Sequence, residues 1–413
     1  MSPPPDATDP AEDASSGRGP ALWHRDYLLA MTVQLGVSLV FMTLMTYMAL
    51  YAADRFGARD AWAGFAASAF ILGSALARVL LGRHVEAIGR RRMLVTGLAV
   101  FTACSALYPV ADAYPVLVGV RLLHGAAFGA ATTAVTAGVL AMVPASRRGE
   151  GMSYFLTAST LATAVGPLLA VRLSAGLGPG PVFLTTLAAS VLALGAAVVL
   201  RLPEFPQDRS AARRPRRGLL PRWAADVLDP DALPVALVIL LVSCGYAGVV
   251  TYVNPYLLDG GLETAASLFF VVFAGGMLLV RLVAGRLQDR RGPNAVVVPL
   301  GLAFCLALVL LAVAAQPWQV LLAGALAGAG YGGSGPTLQV VAASRARPER
   351  LGIATSTHYL MLDTGIAFGP VLFGTLIPVL GYRGHYLVLS AVVAAGMALY
   401  WFVHGRHGRA APP

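Results

Sequence analysis

Apolar residues in this chain gather in long unbroken runs separated by short polar breaks; the run 297–315 is typical. A helix rising 1.5 Å per residue needs about 20 apolar residues to cross a hydrocarbon core ~30 Å thick. Runs of this length therefore predict membrane-spanning helices. Twelve are predicted, at approximately 27–51, 62–81, 93–111, 115–140, 152–173, 181–202, 233–254, 264–284, 295–314, 318–342, 352–379 and 385–404. Pro255 is expected to end the seventh. Strand-period alternation is absent, which argues against a membrane barrel. The pattern thus predicts an all-α membrane protein of twelve transmembrane helices.

The polar breaks divide the chain further. Residues 1–26, rich in Pro, Asp and Ser at their start, predict a disordered tail rather than a signal peptide. Two groups of six spans, 27–202 and 233–404, flank an arginine- and proline-rich linker at 203–232, and 405–413 form a second tail. Within the linker, the stretch from Gly218 to Leu233 can form a short surface helix, with Trp223 and Leu228 against lipid headgroups.

The two groups of six are copies. A shift of 203 positions carries Gly82, Arg83 and Gly89 onto Gly285, Arg286 and Gly292, and Glu86 onto Asp289. The same shift carries Phe70 onto Phe273, Gly73 onto Gly276, and Arg78 onto Arg281. It also carries Gly125 and Gly129 onto Gly328 and Gly332, and Gly166-Pro167 onto Gly369-Pro370. One register across separate blocks means internal duplication, a mark of one large class of secondary transporters.

Composition agrees with a bilayer as solvent: 57% of residues are hydrophobic and 12% charged, about half the ~25% charged of soluble domains. The net charge of +10 is not a nucleic-acid signal. All 30 basic residues are arginine, most of them clustered between apolar runs, which is topology information. Only Arg55, Arg59, Arg383 and Arg172 fall on the side opposite to those clusters, and Arg78, Arg121 and Arg281 lie within spans. This bias predicts a multi-pass protein of the cytoplasmic (inner) membrane with both termini cytoplasmic. Cys104, Cys244 and Cys305 sit in separate apolar runs without metal-ligand spacing, so no metal site is expected.

The repeated block Gly82, Glu86, Gly89, Arg90, Arg91, with its second copy Gly285, Asp289, Arg290, Gly292, resembles the signature loop of the major facilitator superfamily. Physically, the first glycine allows close helix approach, the acid can meet arginine or a helix N-terminus, and the arginines hold the loop inside. The resemblance implies two pseudo-symmetric six-helix bundles, with this loop as a conformational latch; the alternative is a plain positive-inside anchor. In span four, Arg121, His124, Gly125 and Gly129 are similar to the R-x-x-Q-G-x-x-x-G motif of that superfamily's proton-coupled drug exporters, with His124 in place of Gln. Gly166-Pro167 in span five resembles part of the antiporter motif, though Ser, Thr and Ala replace further glycines. With Gly369-Pro370 it marks a helix bend.

Asp363 is the one acid deep in an apolar run, about 18 Å into span eleven at 1.5 Å per residue. An Asp at the bilayer centre is costly and normally faces a cavity or a partner. It reads as a proton or cationic-substrate site, or as a buried ion pair near the Gly369-Pro370 bend; Ser356 and Tyr359 share its helix face. The resemblance places Arg121 toward the cavity, where it would join Asp363 and His124 as proton-coupling candidates. Gln34 and Ser38 (i,i+4 on span one), Phe128, Tyr246, Asn254, Tyr331 and Tyr359 are substrate-cavity candidates. Arg78 and Arg281 are expected to snorkel toward the interface or bridge to the latch.

No nucleophile triad, phosphate loop or cofactor motif is present in the sequence, so neither an enzyme nor a cofactor is expected. Protons, a small-molecule substrate and the lipid bilayer are the expected partners, with no nucleic acid and a monomeric chain. The reading is a secondary transporter, as a proton-coupled exporter of small amphipathic molecules by alternating access. Import of a metabolite or sugar, export of one dedicated product such as a metallophore, and a non-transporting membrane sensor are the alternatives.

Overall fold

The computed structural model describes residues 22–58, 60–174, 178–204 and 227–407. The expected tails up to residue 21 and from 408, and most of the linker with its surface helix, lie outside the described residues. Twelve long helices follow one another: α1 Arg25–Phe56, α2 Asp60–Leu81, α3 Arg90–Leu107, α4 Tyr114–Met142, α5 Arg148–Ser174, α6 Gly180–Val199, α7 Leu233–Asp259, α8 Glu263–Arg291, α9 Asn294–Val313, α10 Pro317–Arg345, α11 Leu351–Gly374 and α12 Ile377–Val403. Ten of them are long and apolar enough to cross a membrane. The other two, α10 and α11, match them in length. Leu72, Leu76 and Leu80 on α2, and Leu279 and Val283 on α8, leave large apolar surfaces exposed in rows along the outside. That is the face a hydrocarbon solvent requires.

Two boundaries differ from the sequence pattern. Pro255 does not end the seventh span; α7 runs through it to Asp259. The lost N–H lies near the helix end, where the segment is held from its side by Tyr256 Oη donating to Leu311 O (2.9 Å). The last span begins before the expected 385, and its first turn is set off by Gly381, whose φ of 66° is left-handed.

The helix pairing repeats with the shift of 203. In the first half α1 packs on α5, and α2 and α3 pack on α4; in the second α7 packs on α11, and α8 and α9 pack on α10. Glycines set the spacing. A Cβ on Gly125 would lie 1.9 Å from Phe70 O, and one on its equivalent, Gly328, 2.0 Å from Phe273 O. Only glycine permits such backbone contact. The halves meet through α5 against α8 and α2 against α11.

Candidate functional site

Toward the arginine-rich face, two crossings related by the duplication join the halves. At one, the end of α8 meets the start of α5: Asp289 Oδ1 and Oδ2 accept the backbone N–H groups of Gly149 (2.7 Å) and Glu150 (2.8 Å). At the other, the loop after α2 meets the start of α11: Glu86 Oε1 accepts from Gly352 N (3.0 Å) and pairs with Arg90 (2.7 Å). Free N–H groups and the positive dipole end of a helix suit a carboxylate at such a place. The glycines of the repeated block permit the approach. A Cβ on Gly285 would lie 2.4 Å from Gly149 O, and one on Gly82 would lie 2.2 Å from Ser356 Oγ. Arg286 adds an ion pair to Glu150 (2.8 Å).

The other latch candidates shape their own half. Gly89 (φ 92°) and Gly292 (φ 82°) turn the chain in the left-handed region. Arg90 Nη1 donates to Pro203 O (3.0 Å) and Arg91 Nη2 to Val198 O (2.8 Å), while Arg290 is exposed.

Further from the arginine-rich face, side chains from both halves surround a cavity of about 200 Å³, a size for a small molecule. Arg78 and Asp363 lie at its base, with Nε 3.4 Å from Oδ2 and side chains 2% and 15% exposed. Ser74 Oγ donates to the same carboxylate oxygen (3.3 Å), and Arg78 lies over the Tyr359 ring at 4.5 Å. Arg281 also lines the cavity. It donates through Nε to Gly332 O (3.0 Å) and through Nη1 to Leu156 O and Thr160 Oγ1. One wall is aromatic, with Phe41, Phe70 and Phe128 mutually packed at 5.1–5.3 Å. Another carries Tyr246 and Tyr331, stacked at 4.0 Å. Gln34 donates to Ser38 (3.1 Å) and Ser159 (2.7 Å).

The structure thus brings Gln34, Ser38, Phe128, Tyr246, Tyr331, Tyr359 and Asp363 to one cavity. It does not bring Arg121, His124 or Asn254 there. Asn254 is exposed. Arg121 is fully buried within the first half, donating to Ala66 O (3.0 Å) and Ala67 O (2.8 Å). His124 bonds Tyr108 Oη (2.8 Å) beside Phe101. The reason is the glycine-mediated contact of α2 with α4, which seals this face of α4 before it reaches the cavity. Arg78 and Arg281 do not snorkel; both are buried, 2% and 7% exposed.

The expectation thus missed Arg78, Arg281 and Thr160 as cavity residues. The signal was in the repeat: the shift of 203 pairs Arg78 with Arg281 and Thr160 with Asp363. The Gly-Pro pairs serve close crossings without breaking their helices. A Cβ on Gly166 would lie 2.6 Å from Met42 Cβ, and one on Gly369 would lie 2.9 Å from Cys244 Cα. Pro370 O accepts from Tyr252 Oη (2.9 Å). Among the described residues no group of three His, Cys, Asp or Glu is placed to hold a metal ion.

The sequence profile of the Major Facilitator Superfamily matches residues 30–314 and again 261–413. Two bacterial relatives are each 26% identical. One, named an uncharacterized MFS-type transporter, from Burkholderia mallei (strain SAVP1), aligns over 92% of this chain and 94% of its own length. The other, the uncharacterized MFS-type transporter YhhS of Salmonella enteritidis PT4, aligns over 91% and 94%. Among solved structures, the human organic anion transporter MFSD10 superposes with a TM-score of 0.78 at 19% identity, over 92% of this chain and all of that one. FucP, in the outward conformation, superposes at 0.71 and 16% identity, over 92% and 99%.

Proposed function

The chain belongs to the major facilitator superfamily, a family of transporters rather than enzymes, and on that premise we propose proton-coupled movement of a small amphipathic molecule by alternating access of two six-helix bundles, residues 27–202 and 233–404. The observation that carries the coupling is the Arg78–Asp363 ion pair at the cavity base. It joins α2 to α11, the same two helices whose ends form the Glu86–Gly352 crossing. Protonating Asp363 cancels the attraction on Arg78 and weakens the bond between these helices. Occupancy of one proton site thereby shifts the population of two arrangements of the bundles.

The arginine bias supports placing the crossings on the cytoplasmic side of the inner membrane, with both termini there. The described state is then the one closed toward the cytoplasm, with the carboxylates of Glu86 and Asp289 as its latches. Resemblance of spans four and five to exporter motifs supports efflux in exchange for protons. One observation favours uptake together with protons instead: Arg281 brings to the cavity a positive charge that no carboxylate of the described chain answers.

Reconstitution under an imposed pH gradient tests the coupling. Candidate solutes come from comparing exported and retained metabolites in overexpressing and deletion strains. Accumulation that follows the gradient in wild type, and is lost in Asp363→Asn while solute binding persists, is the expected result. Wild-type pH dependence in the Asn variant would make Asp363 a structural ion-pair partner.

A further inference from the structure

We infer that the transported molecule carries an anionic oxygen group, and that Arg281 is the residue that binds it. This rests on the transporter reading above but not on its direction. The ground for it is a difference between two positions that the duplication made equivalent. The shift of 203 maps Arg78 onto Arg281 and Thr160 onto Asp363. The geometry has kept the pairing: Arg78 reaches Asp363, and Arg281 reaches Thr160. The charges have not been kept. Arg78 meets a carboxylate, whereas Arg281 meets a hydroxyl and two backbone carbonyls.

Arg281 is 7% exposed and lines the cavity. Its Nε and Nη1 are engaged, but its Nη2 has no protein hydrogen-bond partner, and none of the described carboxylates lies within ion-pair distance. Nη2 is also absent from the fully enclosed unpartnered atoms, so it is reached from the cavity. A guanidinium stays charged and presents donors in a planar fork that matches carboxylate, phosphate or sulfonate oxygens. A buried charge without a counter-charge is unfavourable; the chain meets that demand at Arg78 with Asp363 and leaves it open at Arg281. The ligand supplies the missing negative charge. The aromatic wall of Phe41, Phe70 and Phe128 then takes the apolar body of the molecule. A cation would instead meet two guanidiniums and a single carboxylate already in an ion pair.

The test uses the purified full chain and four naphthalene probes of one shape: 2-naphthoate, 2-naphthalenesulfonate, neutral 2-naphthamide and cationic 2-naphthylmethylammonium. Binding is read by fluorescence quenching and thermal shift. At least one of the two anions should bind tenfold or more tighter than the amide, with the ammonium weakest. Arg281→Gln should lower that anion's affinity to near that of the amide while leaving the amide unchanged, and Arg281→Lys should retain part of the preference. Thr160→Asp recreates the mirror pair and should abolish the preference with Arg281 still present; it keeps the test open if Arg281→Gln fails to fold. Asp363→Asn, which removes the negative charge and releases Arg78, should strengthen anion binding. The relative affinities of the anions separate carboxylate from sulfonate or phosphate chemistry. Equal or tighter binding of the amide or ammonium, no binding of either anion, or an anion preference that survives Thr160→Asp overturns the inference. Anion preference without movement in proteoliposomes keeps it and sinks the transport reading. Gradient-driven movement of the amide or ammonium does the reverse.

Discussion

Two places at the base of the cavity began as copies and now differ by one side chain that matters. At the first, α2 reaches α11 through Arg78 and Asp363; at the second, α8 reaches α5 through Arg281 and Thr160. Backbone and spacing are shared, since both depend on the same glycine-mediated crossings. The difference is charge: one crossing is neutral as a pair and can be altered by a proton, and the other keeps a net positive charge that no proton removes. Duplication supplied the scaffold, and a single acid distinguishes the copies; in the coupling proposed above, that copy is the one that answers to pH. The acids of the two crossings differ too. Asp289 accepts two backbone N–H groups across the halves, while Glu86 accepts one and divides itself with Arg90.

The sharpest break of this comparison is to remove the acid. Asp363→Asn should abolish concentrative, pH-driven transport while leaving measurable solute exchange; the sign follows from a side chain that can no longer gain or lose a proton. Next in size is Gly285→Ala. Its new Cβ would meet the carbonyl of Gly149, which cannot rotate away, so the closed crossing should lose about 1–3 kcal/mol, as overpacked contacts do. Gly82→Ala should cost less, because its Cβ meets the Ser356 side chain, which can turn. Spin-label distances between Arg92→Cys and Glu349→Cys, exposed on the arginine-rich face of opposite halves, would report the opening of that face.

A smaller effect is expected at the acids. Asp289→Asn leaves an amide where two backbone donors converge, so one bond is kept without its charge, and the change should weaken closure by about 1 kcal/mol, the scale of an ordinary hydrogen bond. Glu86→Gln should do less, having one such bond across the halves. Equal shifts from the two would remove the asymmetry argued for the latches. The last check carries no energetic effect. An impermeant thiol reagent outside the cell should label Asp112→Cys and spare Glu349→Cys, and the reverse would invert the orientation drawn from the arginine bias.

Much of this architecture was legible because a bilayer leaves few options. Unpaired backbone groups are too costly in hydrocarbon, so runs of about 20 apolar residues must be helices. Repeated glycines likewise point to close crossings, and Gly125 with Gly328 make them. Asp363 was legible as an exception to the apolar rule. Its partner was not. The resemblance pointed Arg121 toward the cavity and Arg78 was expected at the interface or the latch, since a row of side chains along one helix says nothing about which neighbouring helix covers each turn.

The helices, the duplication, the acid in span eleven and the arginine-rich side can be read from the chain alone, because they depend on local hydrophobicity, register and charge. The packing of helices against one another then set Arg121 on the carbonyls of Ala66 and Ala67 and Arg78 on the acid, and left Arg281 without one among the described residues. That choice is made by how closely glycine lets helices from the same half and from opposite halves approach. Such distances arise between segments far apart in the chain, and no single segment contains them.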